Sequence, residues 1–195
     1  NASAEELANG VLTASAGNMA QGLAWAAREV GVPCTIVVPD HAPETKLAAI
    51  GRLGGEVVKV PFDRWWETME QHRFEGVDGL FVHPGEDDGV MAGNGTVGLE
   101  LVDQLTDIDA VLIPWGGGGL TTGVASALHA LSRETKVYVC EPENGAPVAA
   151  ALANGGEPVP VDFTPSFVDG AGSGSLLPEV WEHARPLVAG SFTIS

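Results

Sequence analysis

Residues 110–131 read AVLIPWGGGGLTTGVASALHAL, and they carry the clearest structural signal in the chain. The run AVLIP at 110–114 is short and apolar, as in a buried strand, and residues 120–131 have helical character. The residues between the two include four consecutive glycines: Gly116, Gly117, Gly118 and Gly119. The stretch therefore predicts a strand, a glycine loop and a helix in immediate succession.

The same succession continues on both sides of this stretch. Apolar residues at helical spacing alternate with short β-branched runs, and most runs end at Gly or Pro. The predicted strands lie at 10–14, 35–38, 56–60, 79–82 and 136–140, and the predicted helices at 19–30, 43–53, 62–73, 96–104 and 146–153. This alternation indicates βαβ units, so we predict an α/β fold with parallel sheets flanked by helices.

The alternation breaks once, at residues 83–95, which read HPGEDDGVMAGNG. This segment is acidic and rich in glycine, so we predict a loop and a domain boundary there. The small domain would span 10–87, and 88–195 together with 1–9 would form part of a large domain. After Gly155 the pattern loosens into a loop rich in Pro and Gly.

The composition excludes several classes of protein. An apolar fraction of 45% over 195 residues is enough for a real core, which argues against a disordered chain. The formal charge of -17 argues against nucleic acid as a partner and disfavours anionic membranes. No apolar run approaches the roughly 20 residues needed to span a bilayer. The acidity fits either ordinary solubility or adaptation to high salt.

The two cysteines, Cys34 and Cys140, lie in apolar strand-like runs. Two cysteines alone make neither a disulfide framework nor a zinc site, so we predict reduced, buried thiols. No signal peptide is visible at the start of the sequence. We therefore expect a cytoplasmic protein.

The sequence predicts no metal site. The acidic run Glu86-Asp87-Asp88 lacks the further oxygen ligands at defined spacing that calcium and magnesium need, so we interpret it as a solvated loop. The histidines show no i, i+4 pair and no cysteine partner. They are His41, His72, His83, His129 and His183.

The glycine run at 116–119 is a candidate anion cradle. Glycines let successive backbone N–H groups turn toward one point, and the helix behind them presents the positive end of its dipole. The alternative is a flexible turn between strand and helix. The run is neither a Walker loop nor a GxGxxG fingerprint, because Thr121 and Thr122 stand where the third glycine should fall.

A second candidate loop, Ser15-Ala16-Gly17-Asn18, also lies between a predicted strand and helix. Its hydroxyl, its amide and the free N–H groups of the helix suit a carboxylate. The alternative is a plain helix N-cap by Ser or Asn. Two anion sites on successive α/β units predict one ligand bound in a cleft between the domains.

Four stretches resemble a known family in the same order along the chain: residues 13–58, 83–101, 113–123 (IPWGGGGLTTG) and 167–170 (FVDG). They are similar to the fold-type II pyridoxal-phosphate enzymes, and within these to the threonine dehydratase and serine racemase group. The resemblance implies a tryptophan synthase β-like fold, with two parallel-sheet domains and a ligand cleft between them.

The resemblance implies pyridoxal 5'-phosphate (PLP) as cofactor and assigns roles to single residues. Gly116, Gly117, Gly118, Gly119 and the N–H group of Leu120 would hold the cofactor phosphate. Asn18 would hydrogen-bond the phenolic oxygen of the cofactor, and Ser15 and Asn18 would hold the substrate α-carboxylate. Asp169 would lie near the substrate side chain, or would be a turn residue before Gly170.

Three departures from the family pattern bear on the reaction. Met19 stands where a histidine is frequent, and Ala16 stands where racemases of the group place a second serine as proton donor. Ala16 therefore favours elimination over racemisation. Some members bind a cation through a Glu and a later Asp. Here Glu141 is present but Pro147 takes the later position, so we expect no cation there and interpret Glu141 as an exposed strand end.

The Schiff-base lysine of the family lies in a Ser-x-Lys-x-Arg-Gly-like motif before the Ser-x-Gly-Asn loop. No lysine precedes Lys46 here, so the chain holds no predicted catalytic residue. The chain begins at Asn1 and stops at Ser195, and we expect it to be part of a longer protein. We expect these 195 residues alone to be inactive.

For the whole protein, the resemblance implies α,β-elimination on L-threonine or L-serine, a small amino-acid substrate, to give a 2-oxo acid and ammonia. It also suggests a homodimer. Three alternatives within the superfamily stay open: β-replacement, a threonine synthase type of reaction and racemisation. The alternative from another class is a ligand-binding domain without the lysine.

Overall fold

The computed structural model describes residues 2–168 and 170–195. These residues form two compact units, one up to Pro84 and one from Gly85 to Ser195. The predicted domains, 10–87 and 88–195 with 1–9, stay a prediction about the whole protein. Within the described ranges, no helix is long and apolar enough to cross a membrane.

The first unit contains one parallel sheet of four strands in the order β3-β2-β1-β4. The strands are β1 (Val11–Ala14), β2 (Cys34–Pro39), β3 (Glu56–Val60) and β4 (Leu80–Phe81). The helices are α1 (Asn18–Val30), α2 (Glu44–Arg52) and α3 (Phe62–Gln71). Register pairs Val11 with Cys34 on one side and with Leu80 on the other.

The central strands of this sheet are buried on both faces. Ile36 and Val38 of β2 pack with α1 and α2, while Val37 packs on the other face with Val60 and Met69. Successive side chains of a strand point to opposite faces, so an uninterrupted apolar run serves both cores. This is why the run at 34–39 is continuous rather than alternating.

The second unit contains a parallel sheet of three strands in the order β5-β6-β7. The strands are β5 (Ala110–Pro114), β6 (Lys136–Pro142) and β7 (Gly190–Ile194). The helices are α4 (Asp88–Gln104), α5 (Gly119–Leu131), α6 (Pro147–Ala153) and α7 (Pro178–Ala184). Together the two units confirm the predicted α/β class with parallel sheets flanked by helices.

Helix α4 corrects the prediction of a loop at 83–95. The helix begins at Asp88, and Asp87 is its N-cap, accepting a hydrogen bond from the Val90 N–H at 3.0 Å. Gly95 of this segment and Gly98, just after it, allow close helix packing: Cβ atoms there would lie 3.2 Å from the Gly123 carbonyl oxygen and 2.9 Å from the Ala127 Cβ of α5. A Cβ on Gly123 of α5 would in turn lie 2.1 Å from the backbone of α4.

Helix α7 and strand β7 lie where the sequence indicates only loop. Both are short, and α7 starts at a proline, so no run is long enough to show a helical period. Trp181 of α7 is buried and meets Trp115 edge to face, with ring centroids 6.0 Å apart. The Trp181 indole also donates to the Gly156 carbonyl at 2.8 Å, which holds the loop after α6 in place.

The cysteines are both unpaired, as predicted, but only Cys34 is fully buried. Burial raises the pKa of the Cys34 thiol to about 11, so it stays protonated and inert at neutral pH. Cys140 is half-buried.

Glu141 is not the exposed strand end that the sequence suggests, since its side chain is 1% exposed. Its carboxylate accepts hydrogen bonds from the N–H groups of Val148 and Ala149 in the first turn of α6, at 2.8 and 2.9 Å. The Ser191 hydroxyl of β7 donates to it at 2.8 Å. One buried carboxylate therefore ties β6, α6 and β7 together.

We predict that Glu141→Gln destabilises the chain by about 1.5–3 kcal/mol, the usual contribution of hydrogen bonds to a charged acceptor. The amide also turns a donor toward groups that are themselves donors. Urea unfolding measures the change. Glu143→Gln is the matched control, because that side chain is exposed two residues away. Equal unfolding midpoints for the two variants would contradict the assigned role.

Candidate active site

The tetraglycine loop begins at a firmly held residue, Trp115. Its N–H donates to the Cys140 carbonyl at 3.0 Å, and its carbonyl accepts from the Gly172 N–H at 2.7 Å. The indole ring is 1% exposed. The start of the loop is thus fixed both to the neighbouring strand and to the segment before α7.

Two glycines of the loop, Gly118 and Gly117, differ in the space around them. Gly118 adopts φ +88°, and a Cβ there would lie 2.6 Å from the Trp115 ring and 2.7 Å from Val180. Only glycine fits this position. Gly117 differs, because a Cβ there would meet nothing within 4 Å. The loop therefore has an open side in front of Gly117.

The amino end of α5 is uncapped. Its N-cap is Gly118, no side chain among residues 2–168 and 170–195 bonds to the helix end, and no acidic residue lies in the first turn. The first N–H to bond inside the helix is that of Thr122, to the Gly118 carbonyl at 2.9 Å. The N–H groups of Gly119, Leu120 and Thr121 therefore point out of the helix end, where the dipole favours an anion.

Two buried threonines follow directly, and they differ in hydrogen bonding. The Thr122 hydroxyl donates to the Gly118 carbonyl at 3.1 Å. The Thr121 side chain is 0% exposed, and its hydroxyl has no hydrogen-bond partner among the described residues. The sequence analysis missed Thr121 as a site candidate. Its position in the first turn behind the glycines is the signal that could have identified it.

These features fit a bound phosphate group. The loop offers several backbone N–H groups, space in front of Gly117, no competing carboxylate in the first turn and one buried hydroxyl without a partner. The residues predicted to hold the cofactor phosphate are therefore brought together at one end of β5: Gly116, Gly117, Gly118, Gly119 and Leu120.

The second predicted loop lies at the carboxyl end of β1 in the first unit. The N-cap of α1 is Gly17, with no side-chain cap, so the alternative of a cap by Ser15 or Asn18 does not apply. The Ser15 hydroxyl instead accepts from the Gly17 N–H at 3.3 Å. The Asn18 side chain is exposed, and no acidic residue lies in the first turn. This helix end also suits an anion.

The two residues of this loop that depart from the family pattern, Met19 and Ala16, contact the sheet and core of the first unit. Met19 turns its sulfur toward β1 and accepts a hydrogen bond from the buried Thr13 hydroxyl at 3.6 Å. Ala16 packs its methyl group at the edge of the first core. Neither side chain can supply a proton to a ligand.

Asp169 and the lysines considered in the sequence do not belong to either candidate loop. Asp169 lies outside the described residues. Lys59 forms an ion pair with Glu44 of α2. Lys136 pairs in register with Ala110, at the opposite end of the strands from the glycine loop.

His72 and His83 are far apart in the sequence but adjacent in the structure. The rings of His72 and His83 lie 4.9 Å apart, and His72 stacks on Phe81 at 5.4 Å. His83 is buried. His72 and Phe81 are stacked, and the His83 ring is tilted against both, so the three rings form an aromatic cluster at the end of β4.

A groove of about 600 Å³ lies elsewhere in the second unit, between α4, α5 and α7. Its lining is mostly small or apolar, as at Met91, Gly95 and Ala127. Asp88 at the amino end of α4 and Thr122 near the start of α5 also line it.

The chain is similar to a known protein family and to curated proteins. The profile of the family "Pyridoxal-phosphate dependent enzyme" matches residues 1–195. L-threonine ammonia-lyase of Thermotoga maritima is 41% identical over 170 residues, covering 86% of this chain and 42% of that protein. Serine racemase of Mus musculus is 35% identical over 192 residues, covering 98% of this chain and 56% of that protein.

Solved structures agree with these matches. The processed form of threonine deaminase isoform 2 from Solanum lycopersicum superposes with a TM-score of 0.86 at 35% identity, over 100% of this chain and 57% of that one. Maize serine racemase gives a TM-score of 0.89 at 29% identity, over 99% and 58%. The chain thus spans about half the length of its relatives. With the family profile matched from end to end, the chain belongs to the pyridoxal-phosphate dependent enzymes of fold type II, and its cofactor is pyridoxal 5'-phosphate.

Proposed function

We propose that the whole protein is an ammonia-lyase that converts L-threonine or L-serine into a 2-oxo acid and ammonia. The observation that carries the cofactor part is the uncapped end of α5 behind the tetraglycine loop. The amino-acid substrate follows from the family. Relatives named as threonine ammonia-lyase and threonine dehydratase, at 41% and 40% identity, support the reaction.

Each loop has its own task in this proposal. The N–H groups of residues 116–120 bind the cofactor phosphate. Ser15, Asn18 and the free N–H groups of α1 bind the substrate carboxylate, and Asn18 also donates to the phenolic oxygen of the cofactor. When bound, PLP supplies the electron sink for breaking the bonds at the substrate α-carbon.

Ala16 supports elimination over racemisation. A racemase needs a proton donor or acceptor on each face of the substrate α-carbon, and a methyl group at position 16 can move no proton. Elimination needs a base on one face only, because the α-carbon loses its proton and is not reprotonated from the opposite face. The β-hydroxyl leaves as water, and hydrolysis of the released imine consumes one water and gives the 2-oxo acid and ammonia. Racemisation is the second candidate, since serine racemases align over 98% of the chain.

The lysine that binds the cofactor would come from chain outside these residues. Lys59 and Lys136 are placed as strand residues, one in an ion pair and one far from the glycine loop. β-replacement, a threonine synthase type of reaction and a ligand-binding role without the lysine remain open as alternatives. A cytoplasmic location and a homodimer stay predictions.

The test of the proposed function is a pair of assays. We expect the whole protein to release ammonia and 2-oxo acid from threonine or serine, and residues 1–195 alone to release neither. The reason is that a lysine amine must be held within bonding reach of the cofactor, and misplaced groups forfeit most of the roughly 7–11 kcal/mol that proximity offers.

Other outcomes are equally informative. D-serine as the main product from L-serine would replace the lyase by a racemase. An inactive whole protein that still binds ligand would support the binding-domain alternative. Activity in residues 1–195 alone would mean that a lysine of this chain serves the cofactor, and Lys46→Ala would then be the first variant to measure.

Gly117→Val tests the phosphate loop. A Cβ at this position would meet no protein atom within 4 Å, and the residue has no positive φ, so we expect the fold to be kept. It fills the open side of the loop, and we expect cofactor affinity to fall at least about tenfold, or about 1.4 kcal/mol. Fluorescence titration with PLP measures this.

The neighbouring glycine provides the contrast. Gly118→Val strains a residue at φ +88° and collides with Trp115, so this variant should lose thermal stability instead. Unchanged cofactor affinity in Gly117→Val would remove the phosphate assignment.

Asn18→Ala tests the second loop. The exposed amide makes no hydrogen bond to other described residues, so its loss should leave folding intact. We expect cofactor and substrate binding to weaken by about 1.5–3 kcal/mol, as for a hydrogen bond to a charged partner. Gln21→Ala, one turn further along α1, is the control. If both variants bind and turn over alike, Asn18 has no such role.

A further inference from the structure

We infer that His72 and His83 bind one divalent transition-metal ion of the class that imidazole ligands favour, namely copper, nickel or zinc. The ring centroids of the two histidines lie 4.9 Å apart, and a ring nitrogen of each lies within 4.8 Å of the other. Spacing along the sequence predicted no metal site, because one histidine ends a helix and the other follows a strand. The inference does not depend on the proposed function.

The backbone at both histidines is held in place by secondary structure of the first unit. His72 is the C-cap of α3 and adopts a left-handed φ of 52°. Val82, directly before His83, donates its N–H to the Leu12 carbonyl of β1 at 2.8 Å. The two imidazoles therefore start from the ends of a helix and a strand, which is the rigid support that a preorganised metal site requires.

The Phe81 ring and the mutual tilt of the two imidazoles orient this pair. His72 is stacked on Phe81 with centroids 5.4 Å apart and an angle of 5° between the planes. The His83 ring is tilted by 44° against His72 and by 39° against Phe81. The lone pair of an imidazole nitrogen lies in the ring plane. Two tilted planes allow the lone pairs to converge on one ion, whereas parallel planes would direct them past each other.

The distance between the nitrogens suits a shared ion after a small adjustment. Zinc binds a histidine nitrogen at about 2.0–2.1 Å, so two nitrogens on one ion lie at most about 4.2 Å apart. His83 is 4% exposed, whereas His72 is exposed, so a rotation of the His72 ring brings the nitrogens together. Solvent on the side of His72 gives the ion an entry path and supplies water for the remaining coordination positions.

A bound ion would tie the end of α3 to the end of β4. The pair of ligands exists only in the folded chain, so an ion that binds there raises the stability of the folded state. Magnesium and calcium prefer oxygen ligands and should give no such effect through two imidazoles. The nature of the effective ion is therefore part of the test.

The first measurement needs no substitution. The whole protein with its cofactor bound is titrated with Cu²⁺, and the electron paramagnetic resonance spectrum of the bound ion is recorded. We expect hyperfine splitting from two imidazole nitrogens. We also expect Zn²⁺ in excess of its dissociation constant to raise the melting temperature by at least about 2 °C, and Mg²⁺ to leave it unchanged. A bound Cu²⁺ ion with oxygen ligands alone would overturn the inference.

The second measurement compares histidine variants. His72→Asn comes first, because the side chain is exposed and asparagine adopts a left-handed φ readily. His83→Gln removes the buried ligand. Each should weaken Cu²⁺ and Zn²⁺ binding at least about tenfold, since even the residues that support metal ligands contribute that much. His41→Asn is the control: His41 is exposed in the same unit, and its ring lies 3.4 Å from the Asp40 carboxylate without a second imidazole.

A last variant separates the histidine pair from the acidic run at 86–88. Glu86 is the next carboxylate after His83 along the chain. If Glu86→Gln weakens metal binding together with both histidine variants, the pair stands and a carboxylate is a further ligand. If Glu86→Gln alone weakens it, the acidic run holds the ion and the inference is wrong. Equal affinities of His72→Asn, His41→Asn and the unsubstituted protein would also overturn it.

Discussion

The unbonded N–H groups at the start of α5 are the constraint around which the second unit is organised. A helix end without a side-chain cap and without an acid in its first turn needs an external partner. The glycines before it allow a ligand to approach, and Trp115 fixes the start of the loop to β6 and to the segment before α7. Rigid support below an open loop is what an anion site requires.

Glycine serves two different purposes in this unit. In the loop, Gly118 adopts a left-handed conformation against a buried indole ring, and Gly117 leaves space on the open side. In the helices, Gly98 and Gly123 let α4 and α5 approach until backbone and methyl groups touch. The close contacts between α4 and α5 begin at Gly123, directly after the first turn of α5.

The first unit contains a similar uncapped helix end, at the start of α1. The amino end of α1 is also uncapped and free of acidic residues, and its loop carries one hydroxyl and one amide. Met19 turns its sulfur toward the Thr13 hydroxyl, and Ala16 is half-buried at the edge of the first core. Within the proposed function, the methyl group at position 16 favours elimination over racemisation.

Local sequence signals were sufficient for the α/β class, for most strands and for the position of both candidate loops between a strand and a helix. Strand and helix patterns repeat over short windows, and a run of four glycines between them has few other uses, so no long-range information was needed. The close packing of α4 on α5, the burial of Glu141 and the unpartnered hydroxyl of Thr121 were decided by the tertiary structure. The helix packing and the burial of Glu141 depend on contacts between residues distant in the sequence: Gly98 would place a Cβ 2.9 Å from Ala127 of α5, and Glu141 takes its donors from α6 and from Ser191. Local sequence patterns do not show such contacts.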